Sequence, residues 1–328
     1  MLTLFLTLLF FLVALHAYRE YWRLRTLPQM YHGEFAGELM KVGSTYIARR
    51  PAINGCSRSI IGFPGFLEDM RYFQDLYKDD DAELILVNNA NYHCPFLKSG
   101  VSSDVIRLEW PENPYLIGTI EHDGFYLGLV LERLVSGREV RLHGHSRGGA
   151  VVLETGRQFP DLTRSKERPI STILEAPVLP QARLFGKSSE PLTHRILCYF
   201  MPIFFGRRRN ISTERLLTLS LMRPTNALKA ELLISIFSST RSYATCVINA
   251  QSIVAWQRSM GLEAYDNFPL LTVVVGEQDT TLDNRSMLAS AEQGLARNSG
   301  LRIIKTEHTN HFLSLEQPDT IRAIYSCD

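Results

Sequence analysis

Residues 1 to 18, Met1 to Tyr18, contain no Asp, Glu, Lys or Arg and are dominated by Leu and Phe. They read as a helix that is apolar all round, roughly 27 Å long at the α-helical rise. From about Tyr46 the pattern changes, and short strand-like apolar runs alternate with helical ones. Such alternation predicts a mostly parallel sheet with helices on both faces. The expected strands are Ser59 to Gly62, Glu83 to Val87, the run opening at Val140, Ile170 to Leu174, Pro269 to Val275, and Leu301 to Ile304. Helical stretches are expected from Leu67 to Tyr77 and around Leu127, Val130, Leu131 and Leu134, which recur at helical spacing before Gly137. A last helix is expected near Pro318, since proline is tolerated in a first turn.

Between Pro180 and about Asn267 the strand pattern disappears. Arg215 to Leu217 after Ser212, Ala227 to Phe237 and Val247 to Trp256 fit short amphipathic helices instead. An insertion of this size is too large for a simple crossover and reads as a helical cap over the carboxyl edge of the sheet. The expected organisation is an N-terminal anchor at 1–18, a juxtamembrane linker and first strand region at 19–45, an α/β core at 46–180 and 268–328, and the cap at 181–267.

Composition narrows the classes. The chain has 328 residues, is 45% hydrophobic and carries a formal net charge of +1, which suits one large domain with an insertion and excludes an electrostatic case for nucleic acid. The amino-terminal segment is near the lower length limit for a bilayer crossing. It lacks the basic n-region and small cleavage-site residues of a secretory leader, so a single-pass anchor is the expected reading, with a signal peptide and a buried helix as rivals. Arg19, Arg23 and Arg25 against Glu20 favour a cytoplasmic body by the positive-inside rule. Cys56, Cys94, Cys198, Cys246 and Cys327 have no metal-like spacing, and buried free thiols are expected.

The chemistry centres on Gly144-His145-Ser146-Arg147-Gly148, a G-x-S-x-G turn between the Val140 strand and a helix opening at Ala150. A serine at the apex of such a turn is strained and stands clear of the sheet edge, and the flanking glycines fit where no side chain does. A serine nucleophile needs a base, an acid to orient it, and donors for the oxyanion. His311, in the loop after the last strand, is the expected base, with His308 as the alternative. Asp279, after the Val275 strand, is the expected acid, with Asp283 and Glu175 as alternatives. The oxyanion donors are expected to be the backbone N–H of Arg147, at the start of its helix, and of Phe66, with Gly65 as the fallback because Pro64 has no N–H. A His308/His311 metal pair finds no third ligand, so neither metal nor cofactor is expected.

With Ser146, Asp279 and His311 in that order, the chain resembles the α/β-hydrolase fold superfamily over roughly residues 45 to 328. The resemblance implies an eight-stranded, mostly parallel sheet and acyl-enzyme chemistry in which Ser146 attacks, His311 shuttles the proton and Asp279 orients it. Two features depart from the common pattern: the turn Phe63-Pro64-Gly65-Phe66, and the charged Arg147 after the nucleophile. The expected activity is cleavage of carboxylic esters of fatty-acyl or other lipid type at a membrane. Thioesterase, amidase or acyltransferase use of the same triad, and a non-catalytic lipid- or protein-binding homologue, are the alternatives. The apolar run Ile196 to Phe205 followed by Arg207-Arg208-Arg209 reads either as a lipid-contacting surface or as a buried cap helix with solvated arginines.

Overall fold

In the computed structural model, which describes residues 1–55, 57–98, 105–184, 189–219, 237 and 239–326, the apolar runs pair into one sheet of nine strands. These are β1 (Glu38–Val42), β2 (Thr45–Arg50), β3 (Arg58–Phe63), β4 (Glu83–Val87), β5 (Ile106–Arg107), β6 (Glu139–His145), β7 (Ile170–Glu175), β8 (Leu270–Gly276) and β9 (Leu301–Thr306). Their order is β5-β1-β2-β4-β3-β6-β7-β8-β9, parallel except at the β1–β2 and β2–β4 pairs. The strand beyond the eight expected is β5, two exposed residues paired to Met40 and Lys41 at the sheet edge. Two residues carry no periodicity, so no pattern could announce it.

Eleven α-helices are described among these residues: α1 (Leu2–Leu24), α2 (Arg71–Tyr77), α3 (Ile120–Arg133), α4 (Arg147–Gln158), α5 (Pro160–Thr163), α6 (Pro191–Arg208), α7 (Thr213–Leu217), α8 (Tyr243–Ser259), α9 (Asn284–Arg297), α10 (Leu313–Glu316) and α11 (Pro318–Ser326). Helices cover both sheet faces, and two apolar cores result. One joins α3 and α4 to the sheet through Leu127, Val151 and Leu142, and the other joins α2 and α11 to it through Phe73, Ile321 and Ile60. Every residue of β4 is buried, which is why it reads as a continuous apolar run rather than an alternating one.

Three boundaries move, two of them for identifiable reasons. α2 begins at Arg71 rather than Leu67 because Leu67 sits at φ 66, off the helical basin, and the Asp69 carboxylate accepts the Arg71 N–H. α3 begins at Ile120, one turn and more before its apolar stripe, because Thr119 caps it by accepting the His122 N–H. α1 continues past Tyr18 to Leu24 without a break. The helix expected from Ala227 to Phe237 lies outside the described residues except for Phe237, as do Cys56 and Cys327. Cys94, Cys198 and Cys246 are free and buried.

β3 and β6 are neighbours, with Phe63 paired to Gly144, yet the chain leaves β3 toward β4 on one side and β6 toward β7 on the other. At such a reversal the loops leaving the two strands diverge and open a crevice at their carboxyl ends. Under it, the Arg147 guanidinium is wholly buried, donating to Asn89 Oδ1 at 2.6 Å and to the Gly118 carbonyl at 3.0 Å, and lying 2.7 Å from Asp123 Oδ2. Its charge therefore braces α3, α4 and the chain after β4. Replacing it by methionine leaves Asp123 a buried, unbalanced carboxylate, and we expect Arg147→Met to cost about 3–5 kcal/mol of stability in urea unfolding.

Candidate active site

β6 delivers the chain to Ser146, which sits at φ 52 and ψ −116, a region L-residues avoid, and α4 starts at the next residue. The surroundings hold it there. The Ser146 N–H donates to the Glu175 carbonyl at 2.8 Å, and its carbonyl accepts from Val178 N at 2.9 Å and Gly149 N at 3.0 Å. A Cβ on Gly144 would stand 2.5 Å from the Gly148 carbonyl oxygen, and one on Gly148 would overlap that of Phe63. Both glycines are thus required by close backbone approach.

His311, in the loop after β9, points Nε2 at Ser146 Oγ at 2.9 Å and Nδ1 at Asp279 Oδ2 at 2.8 Å. With the Nδ1 proton directed at the carboxylate, Nε2 carries the lone pair facing the serine hydroxyl. Asp279 follows β8, and its other oxygen accepts the N–H groups of Thr281 at 2.7 Å and Leu282 at 3.1 Å. Burial opposes the charge, but His311 and these hydrogen bonds outweigh it and hold the carboxyl below its ordinary range. The structure brings the three side chains together from three different strand ends.

The alternatives go elsewhere. His308 is exposed, at φ 58, with its N–H on Glu277. Asp283 caps α9 by accepting the Ser286 N–H. Glu175 lies beneath the site, where it accepts from Tyr72 Oη at 2.6 Å and Ser314 N at 2.7 Å and faces His143 Nε2 at 2.9 Å. Burial is again overcome, here by His143, His145 and Ser314, which pull this carboxyl down to about 2.

The N–H groups of Phe66 and Arg147 both belong to the crevice, one on the turn after β3 and one at the start of α4. Neither is donated to any group among the described residues. The nearby Gly65 N–H is taken by Glu68 Oε2 at 2.8 Å and the Leu67 N–H by Tyr92 Oη at 3.1 Å. The Arg147 side chain, being buried under α4, is absent from the cavity wall. A cavity of about 380 Å³ rises from Ser146 and His311, walled by Phe66, Val178 and Leu282 below and by Leu197, Met201, Phe204 and Ile253 of α6 and α8 above. Among the described residues no His, Cys, Asp and Glu cluster suits a metal.

One buried pair escaped the sequence reading. His145, inside the elbow, sets Nδ1 2.7 Å from Glu68 Oε2 and Nε2 2.9 Å from the His311 carbonyl. Burial favours the neutral ring, but the Glu68 carboxylate outweighs it and raises the imidazole to about 9. As an imidazolium it donates to both partners, tying the turn after β3 to the loop that carries His311. Nothing in the five-residue pattern marks its second position, so only the fold reveals the pair.

A sequence profile described as the alpha/beta hydrolase family matches residues 104–324. None of the curated protein sequences compared with the chain matches it. Among solved structures, the chain is similar to an esterase from Exiguobacterium antarcticum at 15% identity and a TM-score of 0.57, over 88% of this chain and 98% of that one. It is also similar to a putative aryl esterase from Burkholderia cenocepacia at 16% and 0.58, over 86% and 93%. A third is MenH from S. aureus at 13% and 0.58, over 85% and 96%. At these identities the likeness is one of fold.

The His145 pair has a pH signature. A histidine raised from an unfolded value of about 6.5 contributes stability that is whole below that pH and is lost as pH rises through the folded value. Wild-type stability should therefore fall between about pH 6.5 and 9, and Glu68→Gln should be less stable at pH 6.5 and flatter across that window. Urea midpoints at half-unit pH steps provide the measurement, and parallel curves for the two proteins would refute the pairing.

Proposed function

The chain belongs to the alpha/beta hydrolase family, and on that premise we propose that it is a membrane-anchored serine hydrolase cleaving carboxylic esters with a hydrophobic acyl chain. The observation that carries this reading is the line of hydrogen bonds from Ser146 Oγ through His311 to Asp279, at 2.9 and 2.8 Å. Ser146 Oγ attacks the ester carbonyl as its proton passes to His311 Nε2. The Asp279 carboxylate holds the ring in the right tautomer and balances the imidazolium. The negative charge that develops on the carbonyl oxygen meets the N–H groups of Phe66 and Arg147, the latter at a helix start whose dipole favours an anion. His311 then returns the proton to the departing alcohol. A water molecule, deprotonated by the same nitrogen, then attacks the acyl-enzyme carbonyl, and the proton passes back to Ser146 Oγ as the acyl–oxygen bond breaks and the acid leaves.

Substrate class is inferred from the cavity and the amino terminus. Leu197, Met201, Phe204, Phe205 and Ile253 make a wall suited to an acyl chain and unsuited to a charged one. α1 is 23 residues long, has a mean hydropathy of 1.8 over its most apolar window and buries none of it, which suits a bilayer anchor. An enzyme held at a bilayer meets lipid esters at high effective concentration.

Ser146→Ala should abolish p-nitrophenyl ester turnover and labelling by a fluorophosphonate probe while leaving the circular dichroism spectrum unchanged. Turnover undiminished in that variant ends the assignment, and a wild-type serine inert to the probe moves the protein to a binding role. Asp279→Asn should lower kcat by about 10⁴-fold by favouring the wrong tautomer. Parallel rates on acyl-CoA and oxygen esters separate thioester from ester chemistry.

A further inference from the structure

α1 meets α6 through its polar end. His16 Nδ1 lies 3.1 Å from Tyr199 Oη, and the Arg19 guanidinium donates to the Tyr199 carbonyl at 3.2 Å and sits 4.9 Å from that ring's centroid. Lower down, Gly206 packs so closely on the Trp22 indole that any Cβ would overlap it. This contact falls where the apolar stretch of α1 gives way to Tyr18, Trp22, Arg19 and Arg23, the aromatic and cationic composition of a membrane boundary. Whatever α1 crosses, the Tyr199 to Gly206 part of α6 lies at its surface.

The outer face of α6 is made for that level. Leu192, Ile196, Phe200 and Phe204 recur every fourth residue, so they form one stripe, and they are 71, 49, 42 and 46% exposed. A row of open apolar side chains on one helix face costs free energy in water and marks a contact surface. Charge accompanies it: residues 191–219 hold five arginines against the single acid Glu214, although the whole chain is near neutral. Arg208 lies 3.5 Å from the Phe204 ring centroid, and Arg207, Arg208 and Arg215 border a surface hollow of about 750 Å³ together with Phe200 and Ser212. Cations set directly beside exposed aromatics complement anionic headgroups above acyl chains. Finally, Leu197 and Phe204 belong to both surfaces, since they wall the cavity over Ser146 and are 48 and 46% exposed.

We infer that α6 is an interfacial helix seated in an anionic bilayer beside α1, and that acyl chains reach Ser146 from the lipid between Leu197 and Phe204. This rests on the membrane-anchored hydrolase reading and adds a second, specific membrane contact and a route for substrate. A chain taking that route passes from hydrocarbon to an apolar cavity without crossing water, which avoids the cost of exposing it. The arginines make the seating dependent on lipid charge.

The test uses the full chain in phosphatidylcholine vesicles with and without about one-third phosphatidylserine, a fraction that gives a surface potential of tens of millivolts. The added emission of Phe200→Trp over wild type should be quenched by lipids brominated in the upper acyl chain and shielded from aqueous iodide. Quenching by iodide alone overturns the seating. Ile196→Ser combined with Phe200→Ser should keep turnover of a soluble short-chain ester and lose about tenfold on a long-chain ester embedded in the vesicles. Equal retention on both substrates overturns the route. Arg207→Gln with Arg215→Gln should erase the gain that phosphatidylserine gives the wild type, and a gain that persists overturns the role of the arginines. If wild type hydrolyses neither ester, the hydrolase reading fails while the quenching result still stands on its own. If carbonate extracts the full chain from vesicles, the anchor fails and the seating with it.

Discussion

The site hangs on one close approach of backbone to backbone. The first turn of α4 presses against the end of β3 so tightly that Gly148 has no room for a methyl group beside the Phe63 carbonyl. That contact sets where α4 begins, and so where its first N–H groups point. It also sets how far the turn carrying Phe66 stands from the elbow. A strained Ser146 is the other side of the same constraint: the chain must reverse within one residue, and three hydrogen bonds from β7, α4 and the segment after β7 keep it reversed. Strain of this kind persists only where the neighbours over-determine it.

Beneath this backbone frame lies an unusual quantity of buried charge. Arg147 with Asp123 and His145 with Glu68 lie under the crevice nearly or wholly out of water, and beside them the buried Glu175 carboxylate faces His143, whose ring burial holds toward its neutral form. Each pair joins segments distant in sequence. Buried pairs add little net stability once desolvation is counted, but a wrong pairing is very costly. Their effect is therefore on geometry: a displaced loop would strand a charge. Glu175 shows this most clearly, because it holds Ser314 and Tyr72 at once and so fixes the loop after His311 against α2.

How much of this was legible follows from the range of each interaction. Strands β3, β4, β7 and β8 were readable because a buried parallel strand is a largely apolar run bounded by turn residues, edge strand β9 because Leu301, Ile303 and Ile304 follow the turn at Gly300, and the elbow because its glycines answer a local steric need. Asp279 and His311 could be placed by the strand ends they follow, and in the fold His311 lies 2.8 Å from Asp279 and 2.9 Å from Ser146. The two-residue β5 and the early start of α3 were not readable, for they depend on pairing and capping rather than periodicity. His145 and Glu68 were invisible for a different reason: 77 positions separate them, and only the fold brings them to 2.7 Å. Arg147 departs from the common pattern after the nucleophile, and its side chain turns inward, a direction that no spacing encodes.

The serine and the histidine that faces it are 165 positions apart, with α6, α7 and α8 between them. Chains are made from the amino end and their segments begin to fold as they appear. α1 is therefore complete before any part of the sheet exists, and the elbow is complete while Asp279 and His311 are still to be made. Through that interval Ser146 lacks the imidazole it faces in the folded chain and is an ordinary alcohol. On the proposed reading, a chain stopped before His311 carries the elbow and is chemically silent, and the order of synthesis itself would serve as a safety catch.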